Sequence, residues 1–240
     1  MVEAVLFDLD DTLFDHRGCA REALAAAQQL DDRLRTMPFD ALEGVHAGFL
    51  EELHRDVMLG RLPIEVARLE RFRRLLTAAG GVPSDALVAR LAATYRDTYM
   101  RGRRAVGGAA ALLAAVSRRA RVAVVSNNLL EEQQDKLRIC GLDRLIDLLV
   151  VSEEAGVSKP DPAIFRITLE RLNVNAHAAV MIGDSWSADI AGARATGIRA
   201  IWFNPTGAIP PETVEPAVPE LKALEPIDAA MRMIFDADRY

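Results

Sequence analysis

The 240 residues hold only two cysteines, Cys19 and Cys140. They lie far apart and in no metal-like spacing, so a disulfide framework is not expected and a reducing compartment is. Basic charge is in short supply: 29 Lys and Arg against 35 Asp and Glu leave a formal charge of −6. That argues against binding a nucleic-acid polymer by bulk charge, although small anionic substrates respond to local fields instead. Apolar runs break off well before the roughly 20 residues of a membrane span. Near the N-terminus Glu3 stands in place of a basic segment, which argues against a secretory signal. There is no internal repeat and no low-complexity tract. A cytoplasmic protein without a membrane partner is the expectation. With 50% hydrophobic residues, the length suits one large domain or one domain plus an insertion.

What is present begins with Val2–Phe7, a continuous apolar run of the kind buried on both faces of a parallel sheet. From Arg17 to about Met100 no strand pattern occurs, and helical periods take over. Ala20, Leu24, Ala27 and Leu34 mark one face. Leu42, Val45, Phe49 and Leu53 mark a second. Val66, Leu69, Phe72 and Leu76 mark a third, and Leu87, Leu91, Tyr95 and Tyr99 a fourth, with Ser84 placed as N-cap. This reads as a four-helix insertion over 16–100. On the third helix Arg68, Arg71, Arg73 and Arg74 are expected to decorate an outer face.

Beyond residue 100 helices and strands alternate. Strands are expected at Val122–Val125, Leu148–Val151, Ala179–Ile182 and Ala200–Phe203. Helices are expected at Gly108–Arg119, Glu131–Cys140, Pro162–Leu172, Ser187–Thr196 and Ile227–Phe235, with a Pro-rich irregular stretch from Asn204 to Glu225. Alternation of this kind implies parallel βαβ units and a doubly wound sheet. The expected fold class is α/β: a Rossmann-like core of residues 1–15 and 101–240, interrupted by the helical insertion.

In such a sheet, ligands bind outside the carboxyl ends of the strands. The first strand ends in Asp8-Leu9-Asp10-Asp11-Thr12. In extended backbone, residues i and i+2 point the same way, which puts two carboxylates and a hydroxyl on one side. The second strand ends in Ser126-Asn127-Asn128. Lys159-Pro160-Asp161-Pro162 precedes a helix after the third strand. The fourth ends in Gly183-Asp184-Ser185, with Asp189 a turn further on.

Acids, a hydroxyl and a lysine at one sheet edge suit phosphoryl transfer. Asp8 is the candidate nucleophile, since a carboxylate can form an aspartyl-phosphate. Mg²⁺ on Asp8 and Asp184 would neutralise the incoming dianion, with Lys159 and Ser126 on the non-bridging oxygens. Asp10 would protonate the leaving oxygen and later deprotonate water. That role asks for an elevated pKa, for which a packed loop near Leu9, Leu13 and Phe14 is the expected source.

Asp8-x-Asp10-x-Thr12, Ser126, Lys159-Pro160 and Gly183-Asp184-Ser185…Asp189 resemble, in order and spacing, the four motifs of the haloacid dehalogenase-like hydrolases. The inserted helices resemble that family's C1 cap. The resemblance implies a Mg²⁺-dependent phosphatase acting on a small phosphorylated metabolite. It implies Asp8 as nucleophile and metal ligand, and Asp10 as acid/base with its main-chain carbonyl on the metal. It also implies Asp184 as metal ligand, Asp189 as a supporting acid, Thr12 as loop orienter, and Ser126, Asn127 and Lys159 as phosphate binders. The presence of Asp10 favours phosphatase over the metal-independent dehalogenases, which lack a carboxylate there. A phosphomutase and a non-catalytic binding member of the family stay open as alternatives.

Overall fold

The computed structural model describes residues 1–211 and 217–236. The chain divides into two compact units, one of Met1–Asp15 with the residues from Arg104 onward, the other of His16–Arg103.

The first unit is built on strands β1 (Ala4–Phe7), β2 (Arg121–Ser126), β3 (Leu148–Val151), β4 (Ala179–Gly183), β5 (Arg199–Phe203) and β6 (Glu220–Leu221). They form one parallel sheet in the order β3-β2-β1-β4-β5-β6. Every residue of β1 and β4 is buried, as expected for parallel strands covered on both faces. Helices α6 (Ala109–Val116), α7 (Leu130–Ile139), α8 (Ser152–Ala155), α9 (Pro162–Leu172), α10 (Ala191–Ala195) and α11 (Ile227–Phe235) belong to this unit. One core layer collects Ala4, Leu6, Ala123, Val125, Val150 and Met181 from the sheet with Ile164, Phe165 and Ile190 from the helical side. Asp161 caps α9 by accepting the Ala163 N–H at 2.8 Å, with Pro162 at its first position.

Because the strand order reverses at β1, its neighbours are β2 on one side and β4 on the other. Phe7 is in register with both Val124 and Ile182. Asp8 therefore emerges level with the ends of both strands, and its N–H still donates to the Ile182 carbonyl at 2.9 Å. This is the switch point at which doubly wound sheets open a crevice.

Three local readings of the sequence in this unit differ from the structure. The helix expected over Ser187–Thr196 begins as a π turn at Trp186–Ile190 before α10 takes over. A short α8 follows β3, stopped by Gly156 at φ +69°. The tail is not wholly irregular, since β6 adds to the sheet edge; two residues are too few for any periodicity to show. Residues 212–216 of that tail lie outside the described residues.

The second unit holds α1 (His16–Gln28), α2 (Asp32–Thr36), α3 (Phe39–Met58), α4 (Ile64–Ala78) and α5 (Asp85–Gly102). The first of the four expected helices is thus split. Asp31 does this: its carboxylate accepts the N–H groups of Arg33 and Leu34 and starts a new helix. Leu34 still joins Leu24, Ala27, Leu42, Phe72, Leu75, Leu91 and Tyr95 in the core of this unit. Ser84 caps α5 through the Leu87 N–H.

Arg71 departs from the outer-face reading: it is buried along with Ala67 and Leu75 on α4. Those residues stand four apart on either side of it, which places all three on one helix face. Arg68, Arg73 and Arg74 pair with carboxylates instead.

Candidate active site

The loop after β1 is wound tightly on itself. The Leu9 carbonyl accepts the N–H groups of Thr12, Leu13 and Phe14, and the Asp11 N–H donates to the Phe14 carbonyl at 2.7 Å. Asp11 takes the left-handed conformation at φ 63°, which aspartate tolerates better than most residues. Leu9, Leu13 and Phe14 are fully buried and anchor the turn. Its polar residues separate: Asp8 and Thr12 are buried, whereas Asp10 is only partly so.

Lys159 is the centre of the site. Its Nζ donates to Asp8 Oδ1 at 2.5 Å and to Asp189 Oδ1 at 2.6 Å, and all three side chains are buried. The other Asp189 oxygen accepts the Ser185 N–H at 3.0 Å, which ties the loop carrying Asp184 to the lysine. The Trp202 indole N–H donates to the Asp184 carbonyl at 2.8 Å, with Trp186 packed edge-on against the Trp202 ring. Thr12 Oγ1 lies 3.5 Å from Asp184 Oδ1. Asp8, Asp184 and Asp189 each offer a carboxylate oxygen, all within 4.8 Å of one another.

Three carboxylates face one ammonium here. Burial pushes the Asp8 carboxyl well above the ordinary range; Lys159 pulls the other way, and Asp189 and Asp184 add repulsion. Burial likewise pushes Asp184 up, to about 7, with repulsion from Asp189 and Asp11 behind it. For Lys159, burial works against the charge, but Asp189 and Asp8 outweigh it and hold the ammonium above its usual range. Fully ionised, the cluster would carry two uncompensated negative charges. Hard oxygen donors, close spacing and an excess of two charges suit a divalent cation such as Mg²⁺.

A second polar group lies beside the first. Asp10 turns its carboxylate to Lys136, whose Nζ donates at 2.6 and 2.8 Å, and to Gln133 Nε2 at 2.9 Å. The same Gln133 nitrogen reaches Ser126 Oγ at 2.5 Å. The Asp10 carboxylate thus stands apart from the three-carboxylate cluster, in which Asp189 is included. It faces an ammonium and two side-chain amides, Gln133 and, at 3.5 Å, Asn128. Asn127 is committed as well. Its carboxamide accepts the Lys159 N–H at 2.7 Å and donates to the Lys159 carbonyl at 2.8 Å. It fixes the main chain from which the lysine projects.

Lys136 and Gln133 were not singled out in the sequence. The available signal was their spacing: with Leu137 they share the buried side of α7, the helix that follows the Ser126 turn. Two long polar side chains on an inward face must find polar partners.

The chain matches the model of the haloacid dehalogenase-like hydrolases over residues 2–197. It is 32% identical over 209 residues to a ribulose-1,5-bisphosphate 5-phosphatase of Halopiger xanaduensis, covering 86% of each chain. It is 32% identical over 204 residues to a glyceraldehyde 3-phosphate phosphatase of Methanopyrus kandleri, covering 84% of this chain and 83% of that one. The crystal structure of the HAD-hydrolase YfnB from Bacillus subtilis, bound to magnesium, superimposes with a TM-score of 0.71 at 26% identity. That likeness covers 96% of this chain and 98% of the other. With its motifs gathered at the carboxyl ends of a doubly wound sheet, the chain belongs to the haloacid dehalogenase-like hydrolases.

Proposed function

We propose that the protein is a Mg²⁺-dependent phosphatase acting on a small phosphate monoester of the nucleotide or sugar phosphate class. One observation carries this reading: the buried Asp8 carboxylate shares a cage with Asp184 and Asp189 in which Lys159 is the single ammonium described. The phosphatase names of two relatives that cover most of the chain support it.

An Asp8 oxygen attacks phosphorus, and the bond from phosphorus to the ester oxygen breaks. Asp10 supplies the proton that the leaving oxygen needs. The resulting aspartyl-phosphate is then attacked by water, whose proton returns to Asp10, and inorganic phosphate leaves with Asp8 restored. Lys159 and Ser126 hold the non-bridging oxygens, while Asn127 fixes the main chain of Lys159. Asp8, Asp184 and the Asp10 carbonyl are the groups to hold Mg²⁺, which when bound supplies charge neutralisation for the phosphate dianion. Asp189 supports from behind, bridging Lys159 and the Asp184 loop, and Thr12 orients the loop. The inserted helical unit is read as the counterpart of the family's C1 cap.

The test is phosphate release from nucleoside monophosphates, sugar phosphates and phosphoglycolate, with Mg²⁺ present. Selective turnover of one class is expected, and Asp8→Asn should fall below detection with an unchanged circular dichroism spectrum. Retained release in Asp8→Asn, or no hydrolysis of any ester, would overturn the reading.

A further inference from the structure

The helical unit contains two buried nitrogen atoms that have no hydrogen-bond partner among the described residues. Arg71 is 8% exposed, its Nε has no hydrogen-bond partner, and no carboxylate pairs with it among the described residues. His46 is 4% exposed, and its Nε2 is orphaned too. The two converge on the same pair of rings. The Arg71 guanidinium lies 4.6 Å from the centre of Tyr95 and 5.2 Å from that of Phe72. The His46 ring lies 5.1 Å and 5.8 Å from the same two centres.

Among the described residues no carboxylate acts on either side chain. The charged and polar groups acting on Arg71 are Tyr95, Arg68 and Tyr99, and those acting on His46 are Arg71 and His16. His16 is itself hydrogen-bonded to Tyr99, which stacks on Tyr95. A buried guanidinium whose Nε finds no acceptor is an expensive feature, and contact with aromatic rings recovers only part of the desolvation cost. Elsewhere on α4 every arginine has a carboxylate. Arg71 alone is turned inward and left without one.

We propose that Arg71 and His46 form an oxyanion-binding site within the helical unit, taking a phosphate or carboxylate group. The planar fork of arginine presents paired donors matched to such oxygens, and the histidine Nε2 adds one more. The rings of Tyr95 and Phe72 pack against the guanidinium carbon and limit its movement. Such a site goes beyond the phosphatase reading and needs no catalytic step.

The test follows the side-chain N–H of Arg71 and the ring signals of His46 by nuclear magnetic resonance while inorganic phosphate is added. Both should shift together and saturate at one concentration. In Arg71→Met the half-saturation seen at His46 should rise about tenfold or more, and Arg71→Lys should fall between. A second arm adds acetate in place of phosphate, and saturable shifts at both residues are expected with it as well. If none of these anions moves the Arg71 signal, or if Arg71→Met leaves the His46 titration unchanged, the proposal fails. Because the signals belong to Arg71 and His46 themselves, failure here is distinct from failure of phosphatase activity.

Discussion

Lys136 and Asp10 form an ion pair closed at both carboxylate oxygens, at 2.6 and 2.8 Å, with the lysine itself buried. The lysine ammonium also lies 5.3 Å from the centre of the Phe14 ring, in the same loop. Lys136 is thereby a positioning residue for the proposed acid/base. Lys136→Met should lower kcat by about 10²-fold, the scale of a single general acid–base contribution, with little change in KM. Lys136→Arg should recover part of the loss. Steady-state kinetics on the three enzymes checks this; equal losses in kcat and in substrate affinity would point to general disruption of the loop.

The two surplus charges around Lys159 bear on metal dependence. Chelation with EDTA should abolish turnover and Mg²⁺ restore it. Binding to the folded state alone also raises stability, by about 2.7 kcal/mol at a ligand concentration a hundred times Kd. Thermal melts with and without Mg²⁺ should therefore differ for the native protein. Asp184→Asn removes one of the three carboxylates, so its melt without Mg²⁺ should lie higher and its response to Mg²⁺ should shrink. An unaltered Mg²⁺ response in Asp184→Asn would remove that residue from the metal site.

His46 sets a pH dependence that a surface histidine, with the same pKa folded and unfolded, would not. Burial, with Arg71 and His16 adding to it, pushes its pKa from 6.5 down to about 3. The unfolded chain therefore binds a proton at this position below about pH 6.5 that the folded one refuses. Stability is fully present above that pH and is lost as pH falls toward 3, by about 1.4 kcal/mol per unit from this group. Urea melts between pH 7 and 4.5 should show the slope, and His46→Leu should flatten it. The same slope in His46→Leu would assign the loss to other groups.

How much of this was legible depends on what kind of pattern each residue belongs to. Asp8, Ser126 and Asp184 stand directly after apolar strands, and a parallel sheet brings all such positions to one edge whatever the helices do. Lys159 could be placed because Asp161 and Pro162 mark a helix start just after it. Lys136, Gln133 and Arg71 were missed for a shared reason. Each is a polar residue on the inner face of an amphipathic helix, where composition resembles the solvent side and only tertiary packing reveals the burial. The Asp31 cap that splits the first helix was available in the sequence, but the apolar spacing of Leu24, Ala27 and Leu34 ran across it and dominated the reading.

Gly183 tests whether the support of the cage matters as much as its members. It ends β4, and a β-carbon built there would overlap the carboxylate and the β-carbon of Asp189. Asp189 cannot retreat freely, since one of its oxygens accepts from Lys159 and the other from the Ser185 N–H. In Gly183→Ala one of those bonds must be given up. The overpacking should cost about 1–3 kcal/mol of stability. Turnover should fall by about 10²-fold, since loss of one aligned electrostatic donor is worth at least that. Gly141→Ala is the control. Its β-carbon would meet nothing within 4 Å, and its cost comes only from a φ of +67°. That variant should lose about 1 kcal/mol and keep its activity. Comparing melting temperature and kcat in the two variants separates damage to the fold from displacement of Asp189. If Gly183→Ala matched the control in kcat, the approach of β4 to Asp189 would have no bearing on catalysis.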